Sequence, residues 1–592
     1  MYRRRIVPIV LLLVTLLGTL VLGQGVTNPD TFVKVAIHTI ESLDPHFHTG
    51  STSAEITGAI YDTLFVHKPG DINSVVPSLA TVVPSEENGL ITHASDGTTF
   101  VTVPIRQGVK FHNGSVLTPA DVEYTVKRAA MVGGIYTTLP MIFNALIGTG
   151  SFNSLVEDVG YDAAYDILDA AVQVSGNSVV FKLLQPFGPF LGLLTGEMTG
   201  TGIMNKAWCV EQGCWPGTKE TGQDHMNLTL QDDPLFDKAM GTGPFTLVSW
   251  EQGERIVLER YDNYWRGPAK LSRVIREVVP DNLTGLLLVK AGDADFIEVD
   301  VADLGLAQGS PGVTVLTDLP TPWIMKMNFN FQIAEGSPYI GDGQLGPNGI
   351  PPDFFQDLNV RKAFQYSFDW DAYINDVFLG HAMKPYGPVL VGMPTANPDN
   401  PQYEYDPDKA VEFFKKAWGG AVWENGFKIT LLYSAGSTHR QRAVEVLKAR
   451  VEELNPKFTI EVASLPWASF LGAMKNHEMP ISLFGNIPAA FDPWVVLFRD
   501  MHSTGSFAVD HSFSAMAEQK YDALVDELAV SMDPERRQEV SYELQRLFAE
   551  DSLAILHFQA VLHLAVREWV HGFSVGMQPF SVDFYPIWKS EP

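Results

Sequence analysis

Residues 104–128 read PIRQGVKFHNGSVLTPADVEYTVKR, a passage that decides the fold because it runs from an alternating strand through a tight turn into a capped helix. Val101, Val103 and Ile105 alternate with more polar neighbours, the period of a strand with one buried face. Asn113-Gly114 is a turn dipeptide that tolerates positive φ. Thr118 is a good N-cap, Pro119 fits the first helical position where its missing N–H is no loss, and Asp121 lies near the helix's positive end. Val122, Val126 and Ala129 then share one face, so this helix docks on a core.

Outward from that passage, strand-like and helix-like segments alternate irregularly. Thr31 to Ile40, Val179 to Leu183 and Phe427 to Tyr433 read as strands. Asp406-Pro407 opens a helix over Lys409 to Trp418, and Asp533-Pro534 opens another with Val540, Leu544 and Leu547 on its apolar side. Such mixing predicts α/β layers rather than a bundle or a β-sandwich. The 592 residues, 45% hydrophobic and 19% charged, suffice for several cores and more than one domain. No short repeat or low-complexity tract interrupts them, and Pro186 to Trp208, broken by glycines and Glu197, reads as core or loop rather than a membrane span.

The N-terminus speaks to compartment. Arg3, Arg4 and Arg5 precede an apolar run from Ile6 to Leu22, the pattern of an export signal over residues 1–25. A retained anchor is the alternative, which Pro8, Gly18 and the small residues at the end of the run disfavour. No cysteine follows the run, so a lipid anchor is excluded and a soluble, extracytoplasmic product is expected. Net charge is −28, and about −31 without the three signal arginines, which repels nucleic acid and anionic membranes. Cys209 and Cys214 lie in the Gly- and Pro-punctuated stretch AWCVEQGCWPG, and in an oxidising space they are expected to form a local disulfide that shapes a loop. A zinc site there lacks a second ligand pair, since His225 stands alone.

Arg106, the run Gly108-Val109-Lys110-Phe111-His112, Asn113 before Gly114 and the pair Asp121-Val122 resemble the signature of family 5 extracytoplasmic solute-binding proteins, the receptors of peptide-, oligopeptide- and nickel-type ABC importers. Further blocks resemble the same family in the same order. They are Leu43-Asp44-Pro45, Ile60 to Leu64, Pro77 to Ala80, Gly241 to Phe245, Glu259 to Trp265, Ala291 to Asp295 and Asp357 to Asp369.

The resemblance implies an α/β clamshell of the periplasmic-binding-protein type II class: two lobes, with an extra domain inserted in lobe 1, closing on a solute. By analogy lobe 1 combines residues 26–65, 201–297 and 559–592, the inserted domain spans 66–200, and lobe 2 spans 298–558. It implies a monomer that captures a peptide and delivers it to ABC permease subunits, with no cofactor, no metal and no nucleic acid. In peptide-binding relatives an Asp shortly before an acid-Pro pair meets the ligand's ammonium. Here Asp492-Pro493 is present, but the anchor position aligns with Ala489. Either Asp492 or another acid takes the ammonium, or the solute is not a free-amino peptide. An oligosaccharide, stacking on Trp323, Trp467 and Trp494, is the second expectation. Asn486 is a candidate hydrogen-bonding residue, and His48 and Thr49 fall in a loop that touches ligand in relatives. The pair His46 and His48 is a weak metal pattern.

A secreted enzyme is the competing class. The sequence has no Gly-x-Ser-x-Gly elbow, no Walker-type loop and no His-Glu-x-x-His, because His477-Glu478 runs into Met479-Pro480. A glycoside hydrolase would need a carboxylate pair, and nothing among the 69 acidic residues marks one.

Overall fold

Two unusually long strands, Val313–Phe329 and Ala554–Arg567, pair antiparallel and run through both halves of an eight-stranded sheet. The structure is a computed structural model that describes residues 25–47, 51–68, 71–133, 139–196, 200–488, 490–573 and 582–591. The expected signal segment therefore lies almost entirely outside the described residues, as do His48, Thr49 and Ala489. Across the sheet the order is Ile481–Asn486, Val313–Phe329, Ala554–Arg567, Phe296–Glu298, Thr31–Ala36, Arg273–Val278, Arg255–Arg260 and Phe245–Glu251. Thr31–Ala36 runs parallel to both of its neighbours, so the sheet is mixed. Midway along the long pair the register slips between Leu316 and Leu319 and again between Pro320 and Ile324. The paired strands continue on both sides of this irregular stretch, so the two halves share this strand pair.

The quoted passage folds as its local chemistry predicts. Thr99–Pro104 pairs with Ser178–Leu183 in a four-stranded sheet whose outer strands are Ile91–His93 and Val172–Ser175. Gly114 takes φ 86 in the turn, and Pro119–Met131 is helical. At its start the Asp121 carboxylate accepts from both the backbone N–H and the hydroxyl of Thr118, at 2.9 and 2.7 Å. Val122, Val126 and Ala129 are buried. Residues 139–159 have the length and mean hydropathy of a membrane span, which the sequence reading passes over. They form two helices, Leu139–Ile147 and Phe152–Val159, and the first packs Leu139, Ile142, Phe143 and Leu146 into the core.

Several of the quoted blocks meet although they are far apart in sequence. Asp62 is buried and accepts from Tyr264 Oη, Trp265 Nε1 and Thr242 Oγ1, each at 2.9 Å. Burial raises its pKa, and those hydrogen bonds pull the other way. The Arg106 guanidinium covers the Trp265 ring at 4.5 Å. Arg128, fully buried at the end of the signature helix, reaches Asp44 with Nη1 at 3.2 Å and Nη2 at 2.6 Å, and His46 Nδ1 with Nη1 at 2.7 Å. His46 is thereby buried with its Nδ1 facing Arg128, and its sequence partner His48 lies outside the described residues.

In the other half, Phe427–Ser434 and Phe458–Leu465 pair in parallel, connected by the helix Thr438–Leu454. Ala443, Val444, Leu447 and Val451 recur at helical spacing and bury that helix against the strands. The predicted helices at the Asp-Pro steps are present as Pro407–Lys416 and Pro534–Glu550, each capped by its Asp side chain. The first stops two residues early because Ala417 turns to an extended ψ of 131 and Trp418 then takes φ 52, a pair that no helix continues.

Candidate functional site

Open α/β layers present ligand-binding surface at the carboxyl ends of their parallel strands, where loops turn into helix N-termini. Here the two strands end at Ser434 and Leu465. The first is followed by the start of Thr438–Leu454, which carries His439 and Arg440, and the second by Trp467, the first residue of Trp467–Lys475. Arg440 donates from Nη1 to Ser434 Oγ at 2.7 Å, and its guanidinium lies 5.2 Å from the Trp467 ring centre. Its Nε has no hydrogen-bond partner among the described residues. Burial draws its pKa below the ordinary arginine value, against the pull of Tyr373, yet a guanidinium stays charged at neutral pH.

Aromatic groups lie beside His439 and Arg440. Trp467 stacks on Phe470 and Phe484 while remaining 46% exposed, a large value for an indole. Trp323 meets His439 edge-on at 5.8 Å and Phe558 at 6.2 Å. Burial, reinforced by the charge of Arg440, lowers the His439 pKa to about 4, so this imidazole is neutral at physiological pH. The backbone of Asn486 pairs with Ile324, next to Trp323. The structure therefore gathers Trp323, Trp467 and the strand end at Asn486 around His439 and Arg440, two residues that the sequence reading did not select.

Asp492 and Trp494 sit elsewhere. Asp492 caps the helix Pro493–Met501 by accepting from the Trp494 N–H at 2.8 Å, and both its oxygens also accept from Arg537 Nη2 at 2.7 and 2.6 Å. An ammonium would have to compete with a guanidinium already in place. Trp494 is buried edge-on against Phe187 at 4.9 Å, where the Gly188 N–H also donates to Ala529 O at 2.7 Å. His67 touches Phe491 in the same region, at 5.9 Å between ring centres. These residues join the segment around 66–200 to the half that carries Arg440, so Trp494 serves as a packing contact rather than an open stacking surface. Cys209 and Cys214 are buried and stand as two thiols, not as the expected disulfide. The Cys214 N–H donates to Cys209 O at 2.9 Å, and Arg128 Nη2 lies 3.8 Å from Cys214 Sγ.

The sequence model described as bacterial extracellular solute-binding proteins, family 5 Middle, matches residues 74–508. The chain belongs to this family. Similar members include heme-binding protein A of Haemophilus influenzae, 24% identical over 88% of this chain and 83% of that one. The dipeptide-binding protein of Escherichia coli is 21% identical over 90% of each. Among solved family structures, the periplasmic binding protein DppA of Helicobacter pylori in complex with the peptide STSA superposes with a TM-score of 0.66, at 19% identity, covering 95% of this chain and 98% of that one. The fold is thus that of the family 5 solute-binding proteins: a mixed α/β architecture around a large mixed sheet.

Within that fold, two physical signals in the sequence point to the pair His439 and Arg440. Both side chains lie in the first turn of a helix, where the macrodipole disfavours the positive charge of Arg440 and favours a neutral His439, and no acidic residue accompanies them there. The turn also follows a strand with the buried pattern Phe427, Ile429, Leu431, which marks the preceding segment as core.

Proposed function

We propose that this family 5 protein is the solute-binding component of an ABC importer, capturing peptides between its lobes and handing them to a membrane permease outside the cytoplasm. Its part is binding, with no bond-breaking step. The observation that carries this reading is the Arg440 guanidinium, partly unpaired and flanked by exposed indole at the carboxyl ends of the parallel strands. A cation against Trp467, with Trp323 beside the neighbouring His439, suits a carboxylate between apolar side chains, the chemistry of a peptide's C-terminal end. With Asp492 held by Arg537 and an alanine at position 489, the ammonium end lacks the carboxylate partner that the resemblance leads one to expect. Asn486, His48 and Thr49 stay candidate solute contacts on the strength of the resemblance alone. The hinge is the irregular stretch between Leu316 and Ile324 together with the opposing strand, and closure about it excludes water and strengthens the ion pair.

Native mass spectrometry of protein purified without denaturation tests this directly. A co-purified mixture of peptides is expected. A bound sugar would replace the peptide with an oligosaccharide, and a protein that stays empty against peptide and glycan libraries would overturn both.

A further inference from the structure

The register slip in the long strand pair places chemistry as well as flexibility. Asp318 falls between Leu316 and Leu319 and takes φ 58, a left-handed conformation that a non-glycine residue rarely adopts. That conformation accompanies a carboxylate that stands beside two imidazoles from different parts of the chain. His563 comes from the opposing strand Ala554–Arg567, and His381 from the turn after the helix Trp370–Phe378. His381 Nδ1 lies 2.8 Å from Asp318 Oδ1, and the Asp318 N–H donates to His563 Nδ1 at 3.3 Å. The two imidazole centres are 5.0 Å apart with the rings nearly perpendicular, 81°.

One donor atom from each of the three residues lies within 4.8 Å of the other two. Ligands of a four-coordinate zinc ion, with bonds of about 2.0–2.1 Å, stand roughly 3.3 Å from one another, so the side chains need to move by only about an ångström or so. His563 is buried, whereas Asp318 and His381 are 48% and 28% exposed, so coordination positions remain open toward solvent. Asp300 adds negative charge near His563. Two imidazoles and a carboxylate are the donor set of borderline divalent transition ions rather than of calcium or magnesium.

We infer that Asp318, His381 and His563 form a divalent transition-metal site of the zinc type at the strand crossover between the lobes. Its ligands come from both crossover strands and from the turn after a second-half helix, so a bound ion ties the crossover to that half. The triad shares no residue with the patch around Arg440, so the assignment does not depend on which solute the protein captures.

The test uses the full exported protein, stripped with chelator and titrated with ZnCl2 by calorimetry, with Co2+ as a spectroscopic substitute. One equivalent of zinc is expected, with a visible Co2+ spectrum typical of nitrogen and oxygen ligands. Asp318→Asn and His381→Ala change exposed side chains, and each is expected to weaken zinc binding by at least about tenfold and to abolish the Co2+ bands. His93→Ala, an exposed histidine paired with Glu86, should leave both unchanged. Absence of zinc binding, or binding that survives the Asp318→Asn, His381→Ala double variant whose circular dichroism shows it folded, would overturn the assignment.

Discussion

Replacing Arg440 by Met removes the charge from the proposed site while keeping a long apolar side chain against Trp467. In the solute-free protein the loss is small. The hydrogen bond to Ser434 Oγ contributes about 1 kcal/mol, and relief from holding a partly buried charge offsets some of it. With a bound peptide the change is larger, because a hydrogen bond between charged groups contributes about 1.5–3 kcal/mol. That range corresponds to a rise in Kd of about ten- to a hundredfold. Isothermal titration with a peptide identified from the native spectra, as free acid and as C-terminal amide, separates the charge from general packing. The parent protein should discriminate against the amide by a similar factor, and Arg440→Met should bind acid and amide alike, since both changes delete the same pair. If the parent binds the amide as tightly as the acid, or if Arg440→Met still loses affinity on amidation, Arg440 does not read a carboxylate and the reasoning fails.

Trp323→Ala should raise the peptide Kd by about tenfold, as expected for an aromatic contact near the centre of a site, while the thermal transition stays cooperative; an unchanged Kd by titration would remove this residue from the site. Asp62→Ala orphans two fully buried donors, Thr242 Oγ1 and Tyr264 Oη, and one partly buried donor, Trp265 Nε1. Set against the recovered desolvation of a carboxylate, this should destabilise the fold by about 2–4 kcal/mol in urea titrations, and a loss below about 1 kcal/mol would show the hub to be incidental. Burial raises the Glu298 pKa from 4.5 to about 7, so the native state holds that proton more tightly than the unfolded chain. Its contribution to stability is complete below about pH 4.5 and is lost as pH rises toward 7; Glu298→Gln should flatten the stability profile over that window, and parallel profiles for variant and parent would contradict the shift. Exposure of exported protein to mild oxidant should close Cys209 and Cys214 into a disulfide, read as an intact mass lower by two hydrogens; a mass that stays that of the dithiol would leave them as core thiols.

Much of the fold was legible because its signals are local or steric. Thr118, Pro119 and Asp121 specify a helix start within four residues, and the same chemistry recurs at Asp406-Pro407 and Asp533-Pro534. The block from Gly241 to Phe245 has a steric reason for its glycines: a Cβ on Gly241 would stand 2.0 Å from Ile60 O, and one on Gly243 would stand 2.7 Å from Ala59 O. What the sequence could not display is who meets whom. Asp44 and Arg128 are 84 positions apart, and Asp62 and Trp265 are 203 apart, so their roles as buried anchors show only when the chain is folded. The resemblance bridged that distance by bringing the blocks in as a set, without giving the reason each is needed.

The site was less legible because sequence alone does not reveal whether a charge is already matched. Asp492 attracts attention as an acid before proline, and that placement is equally the signature of a helix cap; Arg537, forty-five residues later, decides between the two by occupying both of its oxygens. Arg440 presents the reverse case. In the string GSTHRQRAVEV it resembles any solvated basic residue, yet it stands at the end of a helix where positive charge is disfavoured, and it is folded against an indole with its Nε unpaired. An acid fully satisfied by its own fold is a poor ligand anchor, and a cation held against its local field with an open valence is a good one. In the proposed reading the solute would therefore be recognised through its negative end, from the half that carries the parallel strand pair, with closure supplying the low dielectric in which a single ion pair suffices to orient it.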